Sequence, residues 1–268
     1  MMEFTLGLAQ VRHREDGDVC AQVEEYAKQA KAKGVDLLVF PESMMTSYEL
    51  PVSDFIASAQ PLDGPYATAL NAIAAKYGLW MVYTINERAP KADEGQKPFN
   101  TAVVVDCTGT VAGAYRKAHL FDTDFTRESD KMSSGSCLFT PVKTPFCTLG
   151  LGICYDLRFP EVARFAALHG ADVLVYPAAW VDGKLKAHQW QSLLCARAIE
   201  NQLFVAGVSR ADDRYIGQSC IFGPQGVCLA AAGPEPALLV QTVRTDELAP
   251  VRAAMPVLDH RRPELYVS

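Results

Sequence analysis

Apolar residues along this chain fall into short continuous runs separated by amphipathic stretches, and the two kinds alternate from end to end. The run FTLGLAQV (4–11) predicts a buried strand. Behind it, Val19, Val23, Tyr26, Ala27 and Ala30 recur at helical spacing. They predict a helix from about Val19 to Lys33, with Asp18 as N-cap and Gly34 just past its end. VDLLVF (35–40) predicts a second strand, closed by Pro41 and Glu42. Pro65 opens another helix, with Leu70, Ile73 and Tyr77 on one face and Gly78 after it, and LWMVYTIN (79–86) is the next strand. TAVVVD and TVAGAYRK flank Cys107-Thr108-Gly109 and predict a hairpin.

The second half repeats the alternation. TLGLGIC (148–154) reads as a strand, Pro160 to His169 as a helix, DVLVYP (172–177) as a strand, Lys186 to Asn201 as a helix and LFVAGV (203–208) as a strand. QSCIFGPQGVCLAAA predicts a second hairpin turning at Gly223 to Gly226. ALLVQTV (237–243) is a last strand, and a short helix runs from about Glu247 to Ala254. Continuously apolar strands alternating with helices predict an α/β protein whose sheets are covered by helices. No Pro-, Gly- or Ser-rich linker separates the halves, so residues 1–268 read as one domain with a C-terminal tail from about 255. That tail, PVLDHRRPELYVS, is expected to pack on a surface or a neighbouring subunit rather than to build a core.

Composition narrows the function classes. With 268 residues, 49% hydrophobic and 21% charged, the chain suffices for a sizeable core. A formal charge of −6 argues against a general nucleic-acid grip, which needs a basic face. No run of 18 apolar residues exists and the N-terminus lacks a signal-peptide pattern, so the expectation is a cytoplasmic protein with no membrane span. The eight cysteines contain no C-x-x-C pair, and no two histidines have zinc-ligand spacing. Cys107, Cys147, Cys195, Cys220 and Cys228 are expected to be small core residues.

Three polar residues stand at the carboxyl ends of predicted strands, the edge where α/β sheets bind ligands. Glu42 ends VDLLVFPE, Lys117 ends TVAGAYRK and Cys154 ends LGLGIC. Each has two readings. Cys154 is either an inert buried thiol or a nucleophile, which needs positive potential nearby from a lysine or from the helix beginning at Pro160. Glu42 is either a solvated loop charge or a base with its pKa raised in a partly dry site. Lys117, beside Arg116 and His119, is either a surface lysine or a group that stabilises the thiolate and an oxyanion.

The stretches FPES (40–43), YRKAHLFD (115–122) and GICYDLRFPE (152–161) resemble the three signatures of the carbon–nitrogen hydrolase, or nitrilase, superfamily, and they occur in the family's order. Each is weak alone; the ordered set is specific, and family-like sequence extends over almost the whole chain. The resemblance implies a four-layer α-β-β-α sandwich and a catalytic set of Glu42, Lys117 and Cys154. It adds a second glutamate, Glu128 in FTRESDK (125–131), otherwise a solvated loop carboxylate. It further implies covalent acyl transfer through Cys154, an oxyanion held by Lys117 and the Tyr155 N–H, no metal or organic cofactor, and a homodimer or higher homo-oligomer. Lys117→Ala is accordingly expected to reduce turnover far more than folding stability.

CYDLRFPE is similar to the branch that contains deaminated-glutathione amidases and ω-amidases, with Tyr155-Asp156 where nitrilases usually carry Trp-Glu. PAAWVDGKLKAHQWQSLLCARAIENQ (177–202) and MPVLDHRRPELY (255–266) resemble the first of these most. The implied substrate is a small-molecule amide bearing a carboxylate, and Arg158 is the candidate cation for it, the alternative being a salt bridge to Asp156 or Glu161. Ala178, Ala179 and Trp180 follow a strand end and are candidate pocket residues. Gln189 stands where many relatives have His; His188 and Trp190 beside it are read as helix residues or substrate contacts. The implied reaction is cleavage of deaminated glutathione to 2-oxoglutarate and cysteinylglycine. The alternatives are an ω-amidase acting on 2-oxoglutaramate and an N-carbamoyl amidohydrolase. From another class, a ligand-binding or redox-sensing protein on the same fold would use cysteine oxidation instead.

Overall fold

A computed structural model of the chain describes residues 3–13, 17–89 and 95–266. Strand β1 (Glu3–Gln10) leads into helix α1 (Val19–Ala32), whose first turn is capped by Asp18 accepting from the Ala21 N–H. Strand β2 (Leu37–Val39), helix α2 (Val52–Ala57), helix α3 (Pro65–Tyr77) and strand β3 (Trp80–Glu87) follow, then the hairpin of β4 (Phe99–Val105) and β5 (Val111–Arg116). A long connection carrying a 3₁₀ turn, Glu128–Asp130, reaches β6 (Val142–Lys143) and β7 (Thr148–Leu151). Next come a 3₁₀ turn, Cys154–Arg158, helix α4 (Pro160–Leu168), β8 (Val173–Ala178), helix α5 (Lys186–Asn201) and β9 (Phe204–Ser209). The chain finishes with β10 (Ala211–Asp212), β11 (Tyr215–Ile216), β12 (Cys220–Phe222), β13 (Cys228–Ala231), β14 (Ala237–Arg244) and helix α6 (Leu248–Ala254).

Among the described residues the strands form two six-stranded sheets and one small pair, β10 with β11. The first sheet runs β14-β1-β2-β3-β4-β5 and the second β13-β12-β9-β8-β7-β6. Strands alternate residue by residue between two buried faces, which is why they read as continuous apolar runs. Leu6, Leu8, Val82 and Val104 of the first sheet pack against Leu149, Leu151, Val173, Val175 and Val208 of the second. The intervening residues point outward: Met81, Tyr83 and Val103 meet α1 and α3, whereas Leu174, Tyr176 and Val205 meet α4 and α5. The layers are therefore helix, sheet, sheet, helix, the sandwich expected.

The expected elements are present with local differences. Helix α2 was not foreseen from the pattern; one of its residues, Phe55, is buried. The strand expected over 148–154 stops at Leu151. Gly152 lies so close to Tyr176 that a Cβ there would stand 2.4 Å from the ring, and Cys154 takes a left-handed φ of +44° that no strand residue adopts. The cysteine expectation holds for Cys147 and Cys220, which are buried, and fails for Cys107 and Cys228, which are exposed. Cys107 lies in the β4–β5 turn and Cys228 on an edge strand, where an apolar neighbourhood in sequence leaves one side open to solvent. Beyond α6 the chain runs over the surface, with Met255, Leu265 and Tyr266 exposed. The last two residues of the predicted tail, Val267 and Ser268, lie outside the described residues.

Candidate active site

Glu42 stands three residues past the end of β2, Lys117 directly after β5, and Cys154 opens the 3₁₀ turn after β7. The two facing sheets bring these ends together, and Glu128 arrives on the long loop after Lys117. Lys117 is 2% exposed, Glu42 4% and Glu128 3%, so three charged side chains share a nearly dry site. Lys117 Nζ donates to Glu42 Oε1 at 2.9 Å and to Glu128 Oε1 and Oε2 at 3.0 and 2.8 Å. Isolated burial of any one of these charges would be prohibitive; together they compensate each other.

The remaining lone pairs are filled by fixed donors. Asn100, at the start of β4, donates Nδ2 to Glu42 Oε1 at 2.7 Å and to Glu128 Oε1 at 3.2 Å. The Ala179 N–H meets Glu42 Oε2 at 2.9 Å, and the Phe121 N–H meets Glu128 Oε2 at 2.7 Å. The Cys154 thiol also hydrogen-bonds Glu42.

Electrostatics sets the protonation states. Burial opposes ionisation of Glu42, but the Lys117 ammonium and the donors from Ala179 and Cys154 outweigh it and hold the carboxyl below its ordinary value. This reverses the expected raised pKa. Burial likewise disfavours the Lys117 ammonium, yet Glu128 and Glu42 push its pKa well above the ordinary lysine value. Burial and then Glu42 drive Cys154 well above the ordinary thiol value, with Lys117 opposing. The resting cysteine is therefore a neutral thiol donating to a carboxylate, not a standing thiolate.

These groups open onto a pocket at the surface. Tyr155, Arg158, Ala179 and Trp180 line it. Ala178 does not: it is the last residue of β8, and the strand alternation turns it to the outer face among Leu157, Tyr176 and Trp180. Arg158 makes neither of the salt bridges given as the alternative, to Asp156 or to Glu161. Its guanidinium lies 4.9 Å from the Trp180 ring and donates to Gln189 Oε1 at 2.8 Å. His188 is exposed, and Trp190 is a wholly buried core residue whose Nε1 donates to the Gln218 carbonyl at 3.0 Å.

The matching family model, carbon-nitrogen hydrolase, covers residues 5–253. The chain belongs to the carbon–nitrogen hydrolase family. It is 34% identical over 247 residues to the deaminated glutathione amidase of Escherichia coli O157:H7, covering 92% of this chain and 91% of that one. It is also 34% identical to an omega-amidase of Homo sapiens, over 99% of this chain and 98% of that protein. Among solved structures it superposes on a mutant of the amidase from Nesterenkonia sp. AN1 with a TM-score of 0.81 and 25% identity, over 99% of this chain and 95% of that one. In that structure the acetamide moiety of fluoroacetamide is added covalently to the active-site cysteine.

Several lining residues of this carbon–nitrogen hydrolase escaped the sequence reading. Lys186 faces the cavity with its Nζ 5.4 Å from the Phe121 ring and 6.0 Å from that of Trp180. Tyr48, Arg214 and Tyr215 also line it. Arg210, 5% exposed, donates to the Ser43 carbonyl at 2.8 Å and so fixes the turn beside Glu42. Asn100 had one signal, a polar residue heading an apolar strand; the others come from loops and helix starts with no distinguishing spacing.

Proposed function

We infer that this carbon–nitrogen hydrolase is an amidase for a small amide whose acyl part carries a carboxylate, with deaminated glutathione as the preferred substrate. One observation carries the carboxylate: Arg158 and Lys186 both face the reaction cavity, and among the described residues neither has a carboxylate within ion-pair distance. Two uncompensated cations lining an apolar pocket favour an anionic ligand. Burial and then Arg158 hold Lys186 below its ordinary pKa, a like-charge conflict that a bound carboxylate relieves.

The geometry supports the following sequence. Cys154 gives its proton to Glu42 as its sulfur attacks the amide carbon, so thiolate forms only as the S–C bond forms. The developing oxyanion meets the Lys117 ammonium and the Tyr155 N–H, which, near the start of a 3₁₀ turn, has no intrahelical acceptor. Glu42 then protonates the leaving nitrogen as the C–N bond breaks, leaving an acyl thioester. Water attacks the thioester, loses its proton to Glu42 and expels the sulfur, which is reprotonated. Glu128 keeps Lys117 charged and fixed through both halves.

Kinetics on deaminated glutathione and on 2-oxoglutaramate, side by side, test the choice of substrate. A preference of about tenfold or more for the second amounts to ~1.4 kcal/mol in transition-state binding and would make the protein an ω-amidase. Release of carbon dioxide from an N-carbamoyl compound would point to the third reading. Intact-mass detection of an acyl adduct, lost in Cys154→Ala, separates turnover from simple binding. The same reading includes a cytoplasmic homo-oligomer. All eight cysteines are free, as in a reducing compartment, and the exposed Met255, Leu265 and Tyr266 offer apolar surface to a second copy. Light scattering checks the oligomeric state.

A further inference from the structure

Asp156 is a wholly buried carboxylate that the reaction sequence does not use. Burying an ionised carboxylate requires donors on its lone pairs, and here they come from two chain segments. Oδ2 accepts from the Ile153 N–H at 2.9 Å and from the Tyr115 hydroxyl at 2.9 Å. Oδ1 accepts from the His119 N–H at 3.2 Å and lies 2.7 Å from His119 Nδ1.

The positions of these partners matter. Tyr115 and His119 bracket Lys117 in sequence, two residues to either side, and Ile153 and Asp156 bracket Cys154. A single carboxylate thus joins the segment carrying the ammonium to the segment carrying the sulfur. The joint is reinforced twice: the Tyr115 hydroxyl accepts from the Ala118 N–H at 3.2 Å, and the His119 ring stacks on Phe159, just past the 3₁₀ turn, at 3.7 Å. Between its anchors Cys154 holds a φ of +44°, a left-handed conformation that is unfavourable for a non-glycine residue and persists only where surrounding contacts impose it. The bond from the Ile153 N–H to Asp156 closes that kink. Asp156 does not line the cavity, so it reaches the substrate only through other groups.

We propose that Asp156 is a positioning residue: its carboxylate clamps the Lys117 and Cys154 segments together and so sets the line from sulfur to ammonium and the aim of the Tyr155 N–H. The inference rests on Cys154 and Lys117 being the reacting pair. Displacing a reacting group by about 1 Å costs on the order of 100-fold in rate.

The test compares wild type with Asp156→Asn and Tyr115→Phe. The first keeps the side-chain size but sets an amide among N–H and O–H donors; the second removes one donor to the carboxylate together with the acceptor of the Ala118 N–H. Expected for Asp156→Asn is a fall in kcat on the order of 10- to 100-fold with KM changed by less than about threefold. Tyr115→Phe should show a smaller fall of the same kind, and it carries the test alone if Asp156→Asn does not fold. A second readout does not depend on turnover: alkylation by iodoacetamide, followed by peptide mass spectrometry. Cys154 should react more slowly in both variants, while the exposed thiols of Cys107, Cys137 and Cys228 serve as internal controls with unchanged rates. Wild-type enzyme inactive on every amide would defeat the proposed function and leave the alkylation test standing. Unchanged kcat and unchanged Cys154 alkylation in folded variants would overturn the positioning role. So would a parallel loss of kcat, KM and melting temperature, which marks a fold contact only.

Discussion

Gln189 Oε1 accepts a hydrogen bond of 2.8 Å from the Arg158 guanidinium, which ties the first turn of α5 to the 3₁₀ turn carrying Cys154. On the proposed function, in which Arg158 meets the substrate carboxylate, Gln189 acts through that arginine. Gln189→Ala frees that guanidinium without removing its charge. A lost hydrogen bond of this kind is worth about 1 kcal/mol net, so KM for the carboxylate-bearing amide should rise about three- to tenfold with kcat nearly kept. Steady-state kinetics read the split, and a loss confined to kcat would place Gln189 in the chemical step instead.

Removing the Arg158 charge goes further. Arg158→Leu keeps apolar contact with Trp180 but leaves Lys186 as the nearer cation. A charge-assisted bond to a carboxylate contributes about 1.5–3 kcal/mol, which corresponds to KM higher on the order of 10- to 100-fold for a substrate with a carboxylate. A short neutral amide such as propionamide makes no such contact and should lose less than about threefold. Equal losses on both substrates would show that Arg158 supports the pocket wall rather than the ligand.

The geometry around Lys117 changes what its removal should do. Taken as a strand-end lysine, it was expected to matter for turnover far more than for stability. In the structure it lies between two buried glutamates, so Lys117→Ala strands two carboxylates at once. Breaking a buried ion pair costs about 3–5 kcal/mol, enough to lower Tm by on the order of 5–15 °C in a chain of this size. Loss of the oxyanion contact should reduce kcat by on the order of 100- to 1,000-fold in the molecules that remain folded. Thermal melts alongside kinetics check both parts, and an unchanged Tm would mean that the glutamates take up protons at little cost.

The fold was legible because both sheets are covered on both faces: β1, β3, β8 and β9 bury apolar side chains on both of their faces, and helix stops such as Gly34 and Gly78 stand where the pattern ends. Glu42, Lys117 and Cys154 could be singled out by a shared property, a polar residue where an apolar run stops. Their mutual distances could not, since nothing in VDLLVFPE specifies that the Ala179 N–H, 137 residues away, will meet its carboxylate. Protonation states were harder still. Burial alone argues for a protonated Glu42, and the 2.9 Å contact with Lys117, joined by the donors from Ala179 and Cys154, reverses the sign. Ala178 was misplaced for a simpler reason: a strand end at Pro177 rather than Ala178 leaves its facing undecided, and the extra residue turns it away from the cavity.

The buried charges also fix how stability and rate respond to pH. Glu42 has a folded pKa below its ordinary 4.5, so its ionisation stabilises the fold above that value and the contribution is lost as pH falls through the lower folded value. Lys117 is raised above 10.5; its contribution is complete below that pH and is lost as pH rises through the folded value. Cys154 is raised above 9.0 in the fold, so from 9.0 upward the unfolded chain sheds the thiol proton first and stability falls. The contribution of these three groups to melting temperature should therefore be flat between the carboxylate range and pH 9.0 and decline on either side. The profile of kcat/KM should follow the folded values instead, because the competent state has Glu42 ionised and the thiol neutral, so its alkaline limb should lie well above pH 9.0. Its acid limb should lie below pH 4.5, with no inflection near neutrality. An inflection between pH 6 and 8 would mean that a thiolate–lysine pair, rather than the thiol bonded to Glu42, begins the reaction.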